Sequence, residues 1–369
     1  MFRIARNALL SRKIWMSSIV LALLSMVFAF FTRPTLATNG REIWVLAQDT
    51  NQIKIVHGRS STDTVALPDG TNPHLIEFSP SGAYAYIAGL GSGQVVIVRA
   101  ADRHVSTLDI NPSAGGTHHV QPSPDGRLLL VAQQKPTAAL VKVVADEQKG
   151  TWEVAGNLAL PSTPDCTTFR ADGQRAYVSL ASGLAVVDVA AMSILTVLPT
   201  EGKVACGFAP SKDGRTVYVT SNGKGGRLYR LDTTNDTLTD LGYTFDAYNL
   251  HVPALNANER VLYISDRGDR GNDARLDDVV YMVDLRCASA VCKAPKKIAV
   301  NPRADANDKP DGIVVQGQTA YVAMRATGQL AMITPYQPNF GLPIRLQTVG
   351  YLDLVPASSV ALPHLAVRP

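Results

Sequence analysis

Histidine is scarce in this chain, seven residues in 369, yet three of the seven fall at one place in a repeated pattern. His74, His118 and His251 each lie four residues before Phe78, Pro122 and Leu255, the apolar or proline positions that anchor the repeat. The same count from Phe169 and Val315 lands on Asp165 and Asp311, and His119 adds an imidazole beside His118. Two further units place Val204, counted from Phe208, and Ala357 there. Neutral imidazoles and carboxylates held on one ring suit Zn, Cu or Fe. The chemistry on offer is therefore ligation of a metal or haem, or binding of a polar ligand. The same residues have a structural use, because a histidine at the head of a repeat unit can hydrogen-bond to the next unit.

Other candidates are more local. In DRGDRGNDARLDD (266–278), Asp266, Asp269, Asn272 and Asp273 offer clustered oxygens of the kind Ca²⁺ takes, at a spacing unlike the EF-hand loop. Cys287 and Cys292 bracket CASAVC and are expected to form a disulfide. Cys166 and Cys206 fall in the first strands of neighbouring units, in registers that differ by one residue, and are either paired or separate buried thiols. No CxxCH, G-x-S-x-G, P-loop or Rossmann glycine pattern occurs. Asp188 in LAVVDVA and Asp284 in YMVDL have the position of an Asp that closes a third strand by accepting from turn amides.

The elements that must position these residues are short strands. TNPHLIEFSPSG (71–82), GTHHVQPSPDG (116–126), TPDCTTFRADG (163–173) and KVACGFAPSKDG (203–214) each lead into a β-rich run such as AYAYIA or LLLVA. Weaker copies follow at 249–260 and 309–318. The anchors are spaced 44, 47, 39, 47 and 60 residues apart, the period of a β-propeller with four strands per blade. Residues 41–67 supply the later strands of a unit without its first, and PASSVALPHLAV (356–367) supplies a first strand with nothing after it. Joining the two completes a seventh blade and removes the open edges of an unclosed array. The sequence thus predicts an all-β, seven-bladed propeller forming one domain over residues 41–369.

Residues 1–37 read as a secretory signal. Arg3, Arg6, Arg12 and Lys13 precede the apolar run 14–31, and Thr35-Leu36-Ala37 offers a cleavage site. The run is also long enough to stay as a membrane anchor if uncleaved. These four residues and Arg33 are five of the 35 basic residues, so 30 remain against 31 acidic ones in the mature chain. With no basic stripe left, nucleic acid is excluded as a partner. The compartment expected is periplasmic or extracellular, where an even number of cysteines pairs.

TNPHLIEFSPSGAYAYIA and KDGRTVYVT resemble the YVTN-type propeller repeat, over nearly all of the mature chain. That repeat is specific for fold and poor for function. Two functional relatives are similar in repeat. The propeller domains of dioxo-haem nitrite reductases, and of proteins that make that haem, imply His74, His118 or His251 as an iron ligand, although no cytochrome c module is attached here. The seven-bladed lactonases share the PHxxxxSPDG turn, but their Arg-His pair is missing. The function expected is an exported, monomeric binding platform whose His/Asp channel mouth takes a small molecule, a metal or a partner protein. The alternatives are a redox protein with a metal or dioxo-haem at the mouth, and a lactone hydrolase using a divalent cation.

Overall fold

The runs YAYIAG, RAYVSL and VLYISD are rich in β-branched and aromatic residues and apolar on both faces. Such strands are stable only where both faces are covered. In the computed structural model each becomes the second strand of a blade, packed between two neighbouring blades. The structure describes residues 41–58, 60–111, 114–268, 279–286, 295–300, 309–336, 345–355 and 361–369. Residues 41–369 form one compact unit, and no helix among the described residues is long and apolar enough to cross a membrane.

The strands form seven four-stranded antiparallel sheets. Blades two to seven run in sequence order from inner strands Pro73–Phe78, Thr117–Pro122, Thr167–Phe169, Val204–Pro210, Leu250–Leu255 and Pro310–Gln316. Blade one is assembled from both ends. Its inner strand, Leu365–Val367, pairs with Ile43–Ala47, with Trp44 opposite Ala366. Leu46 N donates to His364 O at 3.0 Å and Arg368 N to Glu42 O at 2.9 Å, which fixes the closure. Seven apolar clusters hold the ring, one at each interface between blades. Outer strands face water and alternate, as in Ser193–Pro199. Asp188 and Asp284 close their third strands as expected, accepting from Ala191 N at 2.8 Å and Arg286 N at 3.1 Å.

The inner strands carry a feature that the repeat does not show. Blades two, three, six and seven each insert one extra residue near the strand start, between Pro73 and Ile76, Thr117 and His119, Leu250 and Pro253, and Pro310 and Ile313. His74, His118, His251 and Asp311 therefore all sit on or at a β-bulge, which re-aims a side chain out of the strand's alternation. Blade five inserts two residues between Val204 and Phe208.

That bulge corrects the expected ring. Ser211 N donates to Thr216 O at 2.8 Å, matching Ser79 N to Tyr84 O at the same distance, so Pro210 and not Phe208 is the anchor. Counting back four from Pro210 places Cys206, rather than Val204, at the ring position. Ala357 lies outside the described residues, as do Asp269, Asn272, Asp273, Cys287 and Cys292.

Candidate functional site

The side chains on the bulges meet at one end of the central channel and join into an arc. Asp311, on blade seven, accepts from Arg325 Nη1 at 2.7 Å, and its other oxygen lies 3.5 Å from His251 Nδ1. Arg267 Nη1 stands 2.9 Å from His251 Nε2. Arg325 Nη2 donates to Gln48 Oε1 at 3.3 Å, and Gln48 Nε2 contacts His74 Nδ1 at 3.3 Å. The His74 and His118 rings are 4.4 Å apart, centre to centre. His118 Nδ1 donates to the Asp165 carbonyl at 2.6 Å. The Asp165 carboxylate accepts from Gln134 Nε2 at 3.1 Å and pairs with Lys203 Nζ at 2.6 Å. The structure thus brings His74, His118, Asp165, His251 and Asp311 into one ring.

Four residues of this arc were not legible in the histidine pattern. Gln48, Gln134, Arg267 and Arg325 each follow directly on the last residue of a second strand. Three of them reach the ring residue of the next blade: Gln48 to His74, Gln134 to Asp165 and Arg267 to Asp311. The signal was present as the polar residue ending WVLAQ, LLLVAQQ, LYISDR and YVAMR.

Packing among so many neighbours keeps the imidazoles neutral. Burial is the main cause for each. It holds His74 well below the usual histidine range, with His118 adding to the effect. His118 is lowered to about 4, against the opposing pull of Asp165. His251 is lowered to about 3 by burial and then by Arg267. Burial alone would raise Asp311, but Arg267, His251 and Arg325 outweigh it and keep the carboxyl ionised.

The histidines are not equivalent. His251 has Arg267 on one nitrogen and Asp311 beside the other, so it is committed to the interface between blades six and seven. His118 gives its Nδ1 proton to a carbonyl, which leaves Nε2 with a bare lone pair. His74 Nδ1 accepts from Gln48 Nε2, which leaves its proton on Nε2 as a free donor. Both rings remain partly open to the channel, and neither Nε2 has a protein partner among the described residues.

Below this mouth lies a cavity of about 440 Å³, lined by the inner strands of all seven blades. Its polar wall includes Glu77, His119, Gln121, Thr168 and His364. His119 is therefore one step deeper than the rim expected for it. Its Nδ1 accepts from Thr167 N at 3.2 Å and its Nε2 lies 3.7 Å from Glu77. His364 is buried, its Nδ1 has no hydrogen-bond partner, and burial lowers it to about 4. The pattern PHLAV (363–367), a copy of PHLIEF (73–78), carried the signal for this residue.

Cys166 and Cys206 also line the cavity and form a disulfide between blades four and five, with Cα atoms 5.0 Å apart. Such a bond belongs to an oxidising compartment. A ring nitrogen of His118 and the two sulfurs lie within 4.8 Å of one another, the one such group of potential metal ligands among the described residues. Asp266 is committed locally, its Oδ1 accepting from Asn249 N at 3.0 Å and Gly268 N at 3.1 Å.

No protein-family model and no curated protein matches the sequence. Solved structures match through the fold. Hydrazine synthase of Kuenenia stuttgartiensis is similar at 15% identity, over 72% of this chain and 78% of that one, with a TM-score of 0.59. Virginiamycin B lyase from Staphylococcus aureus is 14% identical over 78% and 89%, with a TM-score of 0.59. The dihydro-heme d1 dehydrogenase NirN, in complex with DHE, is 14% identical over 91% and 77%, with a TM-score of 0.56. These likenesses establish the seven-bladed propeller and leave the activity to the site.

Proposed function

We propose that this chain is an exported binding propeller that takes a small polar molecule at the channel mouth, with His74 and His118 touching the ligand. The observation that carries this reading is the pair of adjacent neutral imidazoles, His118 presenting a bare nitrogen and His74 an N–H, above a chamber of about 440 Å³. A concave site of that size, with few polar groups at its mouth, suits a small molecule better than a protein surface. Arg325, partly exposed beside the pair, offers a cation to an acidic group on the ligand. The leader sequence and the disulfide support export to the periplasm or beyond the cell.

A second reading is favoured by one observation. The Asp165 carbonyl orients His118 so that Nε2 is bare, as a histidine that would hold haem iron needs. The residues therefore fit a haem: His118 would hold the iron and Arg325 would pair with a carboxylate of the macrocycle. The haem would supply electron transfer, and the chain would orient it and limit its exposure to water.

One preparation separates the readings. Protein isolated from the periplasm is examined by native mass spectrometry and by its visible spectrum. A small-molecule adduct that disappears in His118→Ala and Arg325→Ala is expected. Visible absorption lost in the same variants selects the haem reading. An adduct that survives both substitutions contradicts ligand binding at the mouth.

A further inference from the structure

We infer that Cys166, Cys206 and His118 form a redox-gated site for a thiophilic d¹⁰ cation, closed while the sulfurs are bonded to each other and opened by reduction. The three ligand atoms already lie within 4.8 Å of one another, and a soft ion with two thiolates and one imidazole needs only small movements from there. His118 is prepared for the task. Its Nδ1–H is held by the Asp165 carbonyl at 2.6 Å, the arrangement that fixes the tautomer of a metal-binding histidine.

The sulfurs do not depend on their mutual bond for their position. Cys206 rides on the two-residue bulge of blade five. That bulge is pressed against blade six so closely that a Cβ on Gly207 would meet His251 O at 2.1 Å and Pro253 Cδ at 2.2 Å. Cys166 is held by its own blade, its N donating to Ser179 Oγ at 2.7 Å and its O accepting from Ser179 N at 2.9 Å. Both cysteines line the chamber, which gives an ion a route to the sulfurs.

The gating step balances. A dithiol reductant supplies two electrons and two protons; the Cys166–Cys206 bond breaks, two thiols form, and the reductant closes to its own disulfide. The cation then displaces both thiol protons to solvent as it takes the thiolates and His118.

The test uses the full mature chain and Cu(I) alone. Protein is reduced with a dithiol, freed of it by anaerobic gel filtration, and titrated with Cu(I) against a chromogenic chelator. Reduced wild-type protein is expected to hold one equivalent, while oxidised protein and the Cys166→Ser/Cys206→Ser variant hold none at the same chelator concentration. His118→Ala should weaken retention at least tenfold, and reoxidation should release the ion. Equal retention by the double serine variant or by oxidised protein overturns the site. So does unchanged retention in His118→Ala, or loss of the cooperative thermal transition on reduction. Small-molecule binding is measured on the oxidised protein, so the two readings fail separately.

Discussion

A neutral imidazole in a folded chain is a store of pH-dependent stability. His251 and His364 are buried, with values of about 3 and 4 against an ordinary 6.5. The unfolded chain therefore takes up protons first as the pH falls. Their contribution is complete above about 6.5 and drains away below it, at roughly 1.4 kcal/mol per pH unit for each group. Thermal melts from pH 7.5 to 4.5 should show the midpoint falling once the pH passes below about 6.5. Asp311 works in a separate, lower window: its lowered value adds stability above the ordinary 3.8 that is lost on further acidification. Removing it with Asp311→Ala leaves Arg267 and Arg325 without their shared partner. The expected cost is about 3 kcal/mol in urea unfolding, as for other broken buried pairs. A flat melting profile above pH 5, or an Asp311→Ala variant of unchanged stability, would contradict the buried neutral imidazoles and the buried Asp311 pairing described for the arc. At this scale His74, His118, His251, Asp165 and Asp311 were legible because the repeat puts them in register. Gln48, Gln134, Arg267 and Arg325 were not, because a polar residue after a strand is ordinary until the ring shows what it reaches.

The bulges decide at the level of the strand whether a residue faces the channel or a neighbouring blade. Their positions could not be read from the repeat, since an inserted residue leaves the turn motif intact and shifts only the count. That is why counting along the repeat points to Phe208 and Val204, where the folded blade has Pro210 and Cys206. The blade-five bulge makes a sharp claim about one glycine. Gly207→Ala must push a Cβ into the His251 carbonyl, whereas the same change at Gly156 meets nothing nearer than 3.5 Å. Gly207→Ala should lose about 2 kcal/mol or more by overpacking, with Gly156→Ala close to neutral in the same denaturant series. Equal stabilities would mean that the bulge relaxes freely and does not hold Cys206. The disulfide closes a 40-residue segment. Chain entropy puts its contribution at about 4 kcal/mol, which reduction should remove without unfolding a ring held by seven apolar interfaces.

Closure is the property of the whole molecule that the sequence displayed most openly, because its two ends are complementary fragments of one unit. The inner strand Leu365–Val367 covers Ile43–Ala47, and Arg368 pairs with Glu42 at 3.2 Å. Deleting residues 361–369 should expose two strand edges and the buried Trp44, lowering the melting midpoint sharply and promoting aggregation. A truncated chain with the wild-type midpoint would refute closure by the C-terminal strand. The compartment was legible only in part: the pairing of Cys166 with Cys206 depends on the blade-five bulge and so on the folded ring. Function is the scale at which the repeat says least, since one propeller serves many chemistries.

What distinguishes a ligand-binding mouth from a merely structural ring is the open, bare nitrogen on His118. Diethyl pyrocarbonate acylates neutral, accessible imidazole nitrogens, so brief treatment of the oxidised protein at pH 6 followed by peptide mass spectrometry reads this directly. Within the ring, modification is predicted at His118, with His74 blocked at Nδ1 by Gln48, His251 protected by Arg267 and Asp311 and His364 by burial, and the modified protein should no longer retain its small-molecule adduct. Protection of His118 until the protein unfolds, or labelling of His251 at the same rate, would contradict the assignment of the mouth as the binding site.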